Sequence, residues 1–355
     1  MNSVNLEASQ VLRKRSTELA RFIAAAHYGI QPDTWEKFGI PGHEKSIRDV
    51  GFHLAYLADA VRFDVPELFV DYVGWAHALF NGMNFPTDTV EKTLLSTRLV
   101  LKTTLKPAEM EVVDRFLQAG LDKLAEGPGP SPVFFREDLP MAGLARDYLA
   151  ALLRGDRHAA TEMILAASDR GVSLSDIYLN VFQRVQHEVG SLWQNGEINV
   201  AQEHFCSFVI ELNMSALSPR FVTSRRVNRR VVAACIGDES HEIGLRMVVD
   251  FFEMGGWDTF FVGARTPAES VLQSLVKNRA DVLAISVTLT GHLGEAASLI
   301  RLVHESEFAK NVRIIVGGYP FNVTENLWKN VGADGYGRDA NDALRVANSL
   351  VGLTN

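Results

Sequence analysis

Four short apolar runs in the last third of the chain, separated by helical patterns, constrain the fold more than any other feature. The runs cover residues 231–236, 258–262, 282–286 and 312–316. Strands that are apolar along their whole length are typical of a parallel sheet covered by helices on both faces. The intervening stretches have helical patterns near 241–254, 267–278, 292–306 and 322–330. We therefore predict a flavodoxin-like, doubly wound α/β domain over residues 229–355.

The preceding residues are typical of helices. Residues 1–126 repeat apolar side chains at intervals of three and four, which predicts a helical bundle with helices near 8–27, 45–63, 66–82, 87–103 and 107–126. Alternating glycine and proline make residues 127–135 a linker, because this segment cannot continue a helix. Four more helices, near 140–153, 156–170, 174–194 and 199–216, predict a four-helix bundle over residues 136–222.

Composition narrows the classes of function. The 35 lysines and arginines against 43 aspartates and glutamates give a net charge of −8, which argues against a general nucleic-acid surface. The two cysteines, Cys206 and Cys235, cannot build a disulfide framework, which favours a reducing compartment. The N-terminus lacks the pattern of a signal peptide, and no apolar run reaches the ~18 residues that cross a bilayer. We expect a cytoplasmic protein without a membrane or nucleic-acid partner.

The loop after the first predicted strand has the most informative side chains. It reads GDESHEIG over residues 237–244 and matches no dinucleotide, P-loop or zincin motif. Because ligands bind beyond the carboxyl ends of strands in a doubly wound sheet, His241 is expected at the mouth of a site. Glu239, two positions earlier, could fix its tautomer, and Gly244 would let a large ligand approach the backbone. The alternative is a histidine that only caps or packs locally.

Two more loops extend this site along the same edge of the sheet. Ser286 and Thr288 place hydroxyl groups at the end of the third predicted strand. Gly317 and Gly318 end the fourth, where the lack of side chains leaves room for a bulky group. Together the three loops predict one long slot with a histidine at its rim.

These motifs resemble the cobalamin-binding domain family, which has D-x-H-x-x-G after its first strand, a serine motif after a later one and a Gly-Gly pair. The resemblance covers about residues 229–350. It implies that His241 is the lower cobalt ligand and that Gly244 permits close approach of the cofactor. The residues implied to line the displaced nucleotide tail are Ser286, Thr288, Gly317 and Gly318. This sequence departs from the family at Glu239, which stands where the family has aspartate, with Asp238 just before it.

Trp193 ends one predicted bundle helix, and nine residues separate it from Glu203 and His204 in the next. In isolation, such a tryptophan is usually core and a Glu-His pair is usually solvated. Upstream of a cobalamin domain, however, the pattern resembles the light-dependent cobalamin photoreceptors typified by bacterial carotenoid-gene repressors. The resemblance implies that Trp193 shields the upper axial group and that Glu203 bonds the adenosyl ribose. It also implies that His204 takes the vacated cobalt position after photolysis.

The N-terminal residues depart from those repressors because they show no helix-turn-helix. Their middle is rich in aromatic and histidine residues, with Arg48 nearby, and the layout is similar to photocobilins, which pair cobalamin with biliverdin. No cysteine precedes Cys206, so a bilin in this domain would be held non-covalently. The bilin contacts that we expect are His53, Tyr56, Arg62, Trp75 and His77. The alternative is a helical dimerisation domain with ordinary aromatic packing.

The resemblance implies a photoreceptor rather than an enzyme. Photolysis of adenosylcobalamin would change the packing of the helical bundle, with biliverdin as second chromophore. That change would alter either the assembly of the chain into a dimer or tetramer or its contacts with a downstream signalling protein. Two alternatives remain: a corrinoid methyl carrier of a methyltransferase system, and a cobalamin-bound antirepressor of a transcription factor. A methyl carrier has no need for the arrangement of Trp193, Glu203 and His204.

Overall fold

The computed structural model describes residues 3–36, 38–127, 134–136, 138–221, 226–238, 240–324 and 326–353. The chain divides into two compact units. The first contains residues 1–129 together with 287–298 and 319–332, and the second contains 130–286, 299–318 and 333–355. Two segments from the C-terminal third therefore pack with the N-terminal helices. Among the described residues, no helix has both the length and the apolar character that a membrane span requires.

The N-terminal part of the first unit is helical. Its helices are α1 (Ser3–Lys14), α2 (Ser16–Ile30), α3 (Pro32–Glu36), α4 (Gly39–Phe63), α5 (Pro66–Gly82), α6 (Thr89–Lys102) and α7 (Pro107–Ala125). The single helix predicted near 8–27 is two helices that meet at Arg15. Helix α4 begins before the predicted residue 45, because Pro41 lies in its first turn, where a missing amide hydrogen costs no intrahelical bond.

The second unit begins with a set of packed helices. They are α8 (Ala142–Leu153), α9 (Arg157–Asp169), α10 (Leu174–Ile177), α11 (Gln183–Gln194) and α12 (Val200–Leu217). A π-helical segment, Tyr178–Phe182, joins α10 to α11, so the helix predicted over 174–194 is continuous but locally widened. Tyr148, Tyr178 and Phe182 are fully buried in the apolar core between these helices.

The sheet also lies in the second unit. Its strands are β1 (Arg230–Cys235), β2 (Asp258–Gly263), β3 (Val282–Ser286), β4 (Arg313–Gly317) and β5 (Gly335–Tyr336). All neighbouring pairs are parallel, and the order is β2-β1-β3-β4-β5. The prediction of a parallel doubly wound sheet is confirmed. Strand β5 was not predicted, because two residues are too few to leave a periodic pattern.

In the described part of the chain, α-helices lie between and after the strands. They are α13 (Ile243–Met254), α14 (Ala268–Asn278), α15 (Leu293–Glu305), α16 (Tyr319–Val323), α17 (Leu327–Val331) and α18 (Ala340–Leu350). Trp257 and Phe252 are fully buried and pack edge to face, with ring centroids 5.0 Å apart. These large aromatic groups fill the core between β1, α13 and α18, and fix α13 against the sheet.

Candidate functional site

The loop after β1 leads from the sheet to α13, and the side chain of His241 on this loop is exposed. Gly237 turns the chain with a φ of 88°, a backbone conformation that favours glycine. The Cys235 thiol lies 3.5 Å from the His241 carbonyl oxygen, to which it donates. The end of the strand thus restrains the backbone of His241, two residues before α13 begins.

Arg265 and Glu242, which the sequence analysis did not single out, connect this loop to the loop after β2. Arg265 donates to the Ser240 hydroxyl at 3.0 Å and pairs with Asp238 at 3.4 Å. The Glu242 carboxylate accepts from the Ala264 amide at 3.3 Å. Glu239, the predicted carboxylate partner of His241, lies outside the described residues. Asp238, just before it, is exposed and pairs with Arg265.

Gly244 lies in the first turn of α13 and is exposed. A Cβ atom built there would meet no protein atom within 4 Å. Packing within the protein therefore does not require glycine at this position. If a corrinoid were bound beside this loop, His241 would be the residue that holds its metal, and the space beside Gly244 would leave room for the cofactor.

The ends of β3 and β4 lie at the same level of the sheet. Ser286 is in register with Cys235 of β1 on one side and with Gly317 of β4 on the other. Gly318 has a φ of 100°, which only glycine adopts readily. A Cβ atom on Gly317 would lie 3.0 Å from the Gly337 carbonyl oxygen, so packing against β5 also favours glycine there. Thr288, two residues beyond Ser286, belongs to the first unit.

Glu203 stands in the first turn of α12 and is held by hydrogen bonds. The Ser207 hydroxyl donates to Glu203 Oε1 at 2.8 Å, and Gln186 Nε2 donates to that hydroxyl at 2.9 Å. His204 is 74% exposed, and its Nε2 lies 3.5 Å from the second carboxylate oxygen of Glu203. Trp193, near the end of α11, is half-buried against the bundle core.

Ser207 and Gln186 were not predicted, although their distances in sequence from Glu203 and Trp193 could have indicated them. Ser207 is four residues after Glu203, and Gln186 is seven before Trp193, so each pair shares a helix face. Together they connect α11 to α12 through hydrogen bonds that end at Glu203.

The π-helical segment contacts the helix that follows the His241 loop. Tyr178 Oη donates to Asp250 Oδ2 of α13 at 2.8 Å, and its ring meets Phe251 edge to face at 6.1 Å. Burial raises the pKa of Asp250 to about 6, and the Tyr178 hydroxyl opposes that rise. Arg246 of α13 pairs with Glu211 of α12 at 3.4 Å. The bundle helices are therefore bonded to α13 through two partly buried polar contacts.

The structure brings three of the predicted bilin contacts together around Tyr72, which was not predicted. The Tyr72 hydroxyl lies 2.8 Å from His53 Nδ1, and the Tyr72 ring stacks on Tyr56 at 3.8 Å and on Trp75 at 6.0 Å. Burial lowers the pKa of His53 to about 4, so this imidazole is neutral. Because Tyr72 lies three residues before Trp75 on the same helix face, the sequence could have indicated Tyr72 as a member of this group.

The other two predicted bilin contacts, Arg62 and His77, lie on the same two helices, α4 and α5. The Arg62 guanidinium lies over the ring of Phe63, 5.4 Å from its centroid, at the end of α4. His77 is half-buried on α5. That a bilin binds to this part of the chain stays a prediction.

Comparisons with known proteins bear on the second unit. Residues 229–345 match a family model described as a B12 binding domain, and residues 144–218 match a second model with the same description. The chain is 23% identical over 207 residues to a corrinoid protein of Desulfitobacterium hafniense, covering 57% of this chain and 94% of that protein. It is 24% identical over 168 residues to dimethylamine corrinoid protein 1 of Methanosarcina acetivorans, covering 46% of this chain and 78% of that protein.

A solved structure agrees at the level of fold. The monomethylamine corrinoid protein of Methanosarcina barkeri superposes with a TM-score of 0.54 at 20% identity, covering 59% of this chain and 100% of that one. The two family-model matches show B12-binding domains at residues 144–218 and 229–345, and the solved structure shows the same fold.

Proposed function

We propose that this chain is a light sensor that uses its helical bundle to detect the group on the upper face of a bound corrinoid. The observation that carries the proposal is Glu203, which is held by Ser207 and Gln186 in the first turn of α12, beside the exposed His204 and near Trp193 in sequence. Adenosylcobalamin, when bound, supplies a cobalt–carbon bond that visible light breaks.

Each residue has a distinct role in this proposal. His241 would hold the metal of a bound corrinoid through a ring nitrogen. Glu203 accepts a hydrogen bond from a ribose hydroxyl through the carboxylate oxygen that Ser207 does not occupy. Trp193 covers the adenine side with its indole face and excludes water. His204, which is exposed, is able to turn toward the upper position when that position becomes vacant.

The signal leaves the site through the bundle. Glu203 and Trp193 would each lose a binding partner if the upper group of a bound corrinoid were removed, and α11 and α12 would then favour another arrangement. A change in the bundle helices would reach α13 through the contacts that join them, which are Tyr178–Asp250 and Arg246–Glu211. The output is a change in assembly, between a dimer and a tetramer, or in contacts with a downstream protein, rather than catalysis. The aromatic group around Tyr72 supports a non-covalent biliverdin as second chromophore.

A corrinoid methyl carrier is the second candidate, and the comparisons favour it over the sensor. Relatives at 20–24% identity are named as dimethylamine corrinoid proteins, and the superposable structure is a monomethylamine corrinoid protein. In this role the chain would present a methyl group to separate methyltransferases. A methyl group offers no hydrogen-bond donor to Glu203, so that residue distinguishes the two candidates.

Reconstitution with adenosylcobalamin and, separately, with methylcobalamin tests both. The sensor predicts that green light changes the mass of the adenosylcobalamin form in light scattering, and that Glu203→Gln speeds loss of that cofactor but not of methylcobalamin. Glu197→Gln is the matched control, because Glu197 is an exposed glutamate in the connection between the same helices. Unchanged mass and spectrum under light, with methyl transfer from the methylcobalamin form to a thiol, would instead establish the carrier.

A further inference from the structure

A cavity of about 420 Å³ lies in the second unit, at the edge of the sheet where the strands begin. Arg229 and Asp281, which line it, are the residues directly before β1 and β3, and Arg313 is the first residue of β4. The His241 loop follows the other end of β1. The cavity is therefore distinct from the candidate corrinoid site, and its volume falls within the ~300–1,000 Å³ that is usual for small-molecule sites.

The carboxylate of Asp281 is fully occupied by groups of the same unit. Arg229 Nη1 donates to Asp281 Oδ1 at 3.0 Å, and the Arg230 amide donates to Oδ2 at 2.8 Å. Arg229 also donates to the carbonyl oxygen of Val351 at 3.2 Å. The negative charge of Asp281 is therefore compensated by a guanidinium that is itself held in place.

Two more arginines give the cavity an excess of positive charge. Arg313 Nη1 lies 3.5 Å from Asp334 Oδ1, whereas the other oxygen of Asp334 accepts from the Ile314 amide at the shorter distance of 2.7 Å. The Arg279 side chain is exposed and makes no hydrogen bond or ion pair with the described residues of the chain. A guanidinium is always charged in proteins and offers paired N–H donors to anionic oxygens. The cavity thus favours an anion, although the whole chain has a net charge of −8.

Apolar side chains complete the lining of the cavity. Leu275 and Val312 are buried in its wall. Phe308 is 82% exposed and Val276 is 42% exposed, so two apolar side chains meet water at a cavity that also has unpaired positive charge. Covering them with an apolar group removes this surface from water, which is favourable in proportion to the area covered.

We propose that this cavity is a second binding site, and that its ligand is an organic anion with an apolar body, of the class of medium-chain carboxylates. Arg279 and Arg313 bind the anionic group, and Phe308 and Val276 cover the apolar body. A small inorganic anion would leave the phenylalanine in water, and a neutral apolar molecule would leave the guanidinium groups without a partner. The site does not depend on a bound corrinoid, because the His241 loop lies at the opposite edge of the sheet.

The test uses octanoate as the probe, with acetate and 1-octanol as probes that each lack one of its two parts. Isothermal titration calorimetry of the full chain should show one site for octanoate and binding at least about tenfold weaker for acetate and for 1-octanol. Arg279→Gln and Phe308→Ala should each weaken octanoate binding about tenfold, because one removes a charged hydrogen-bond donor and the other removes apolar contact. Arg301→Gln is the matched control, an exposed arginine of α15 outside the cavity lining, and should stay within about twofold of the parent chain.

Absorbance titration with hydroxocobalamin provides the second readout. Saturating octanoate should leave its dissociation constant unchanged, whereas competition would place the anion at the carboxyl edge of the sheet and overturn the proposal. Absence of octanoate binding, equal affinity in the parent chain and both cavity variants, or equal weakening in Arg301→Gln would also overturn it. Tight binding of acetate or 1-octanol would contradict the two-part ligand. Failure of the chain to bind hydroxocobalamin would refute the corrinoid site and leave the octanoate comparison to decide this one.

Discussion

Replacing Tyr178 by phenylalanine should destabilise the second unit by an amount that depends on pH. The hydroxyl donates to Asp250 at 2.8 Å, and burial raises the pKa of this carboxyl to about 6. At pH 8 the bond is made to a carboxylate and contributes about 2 kcal/mol, whereas at pH 5 the carboxyl is mostly protonated and a neutral bond contributes about 1 kcal/mol. The free energy of unfolding should therefore fall by about 1 kcal/mol more at pH 8 than at pH 5.

The direction of this pH dependence follows from the coupling between folding and protonation of Asp250. The pKa of Asp250 is higher in the folded than in the unfolded chain, so the folded state loses stability as the pH rises from about 4 through 6. Because the Tyr178 hydroxyl lowers that pKa, removing it raises the pKa further and enlarges the loss at high pH. The variant should consequently have the steeper decline of stability with pH.

Urea unfolding followed by circular dichroism at pH 5 and pH 8 measures this difference. Tyr148→Phe is the control, because Tyr148 is fully buried in the same bundle and accepts from Asn213 Nδ2 at 2.7 Å, a neutral partner. Its loss of stability should be equal at the two pH values. Equal losses at both pH values for Tyr178→Phe, or the same pH dependence in the control, would refute the reasoning.

Two further predictions concern the cofactor. Gly244→Ala should raise the free energy of unfolding by up to about 1 kcal/mol, since its Cβ meets no protein atom, while weakening corrinoid binding at least about tenfold. Gly143→Ala, an exposed glycine in the first turn of α8, should stabilise without that loss, and unchanged binding in Gly244→Ala would show that the cofactor lies elsewhere. Ser207→Ala should release adenosylcobalamin several-fold faster and methylcobalamin at the parent rate, measured by rapid gel filtration in the dark; equal effects on both would remove Glu203 from the upper face.

Local patterns in the sequence were enough to predict the sheet and most helices. Strands β1, β3 and β4 are buried along most of their length, so their sequences are continuously apolar and are recognised without a structure. Strand β5 has two residues and the π-helical segment has one turn, and neither leaves a periodic signal. Helix α4 was predicted near residue 45 but begins at Gly39, with Pro41 in its first turn.

The contacts that connect distant parts of the chain could not be predicted in this way. Asp59 and Gly294 are 235 positions apart, and Tyr178 and Asp250 are 72 apart. The periodicity of a sequence identifies the buried face of a helix but not the segment that packs on it. The sequence therefore did not indicate which residue would bond to Asp59 on the buried face of α4. The Glu203–Ser207 contact is different, because its four-residue spacing could have been recognised.

The central claim is that His241 binds the metal of the corrinoid. Electron paramagnetic resonance of the Co(II) form, prepared from protein labelled with ¹⁵N-histidine, tests it directly. If one imidazole nitrogen is the axial ligand, labelling should convert each three-line nitrogen splitting into a two-line splitting, and His241→Ala should abolish the effect of the label. Three-line splitting that persists in the labelled protein would show that the cofactor keeps its own base, and would contradict the account.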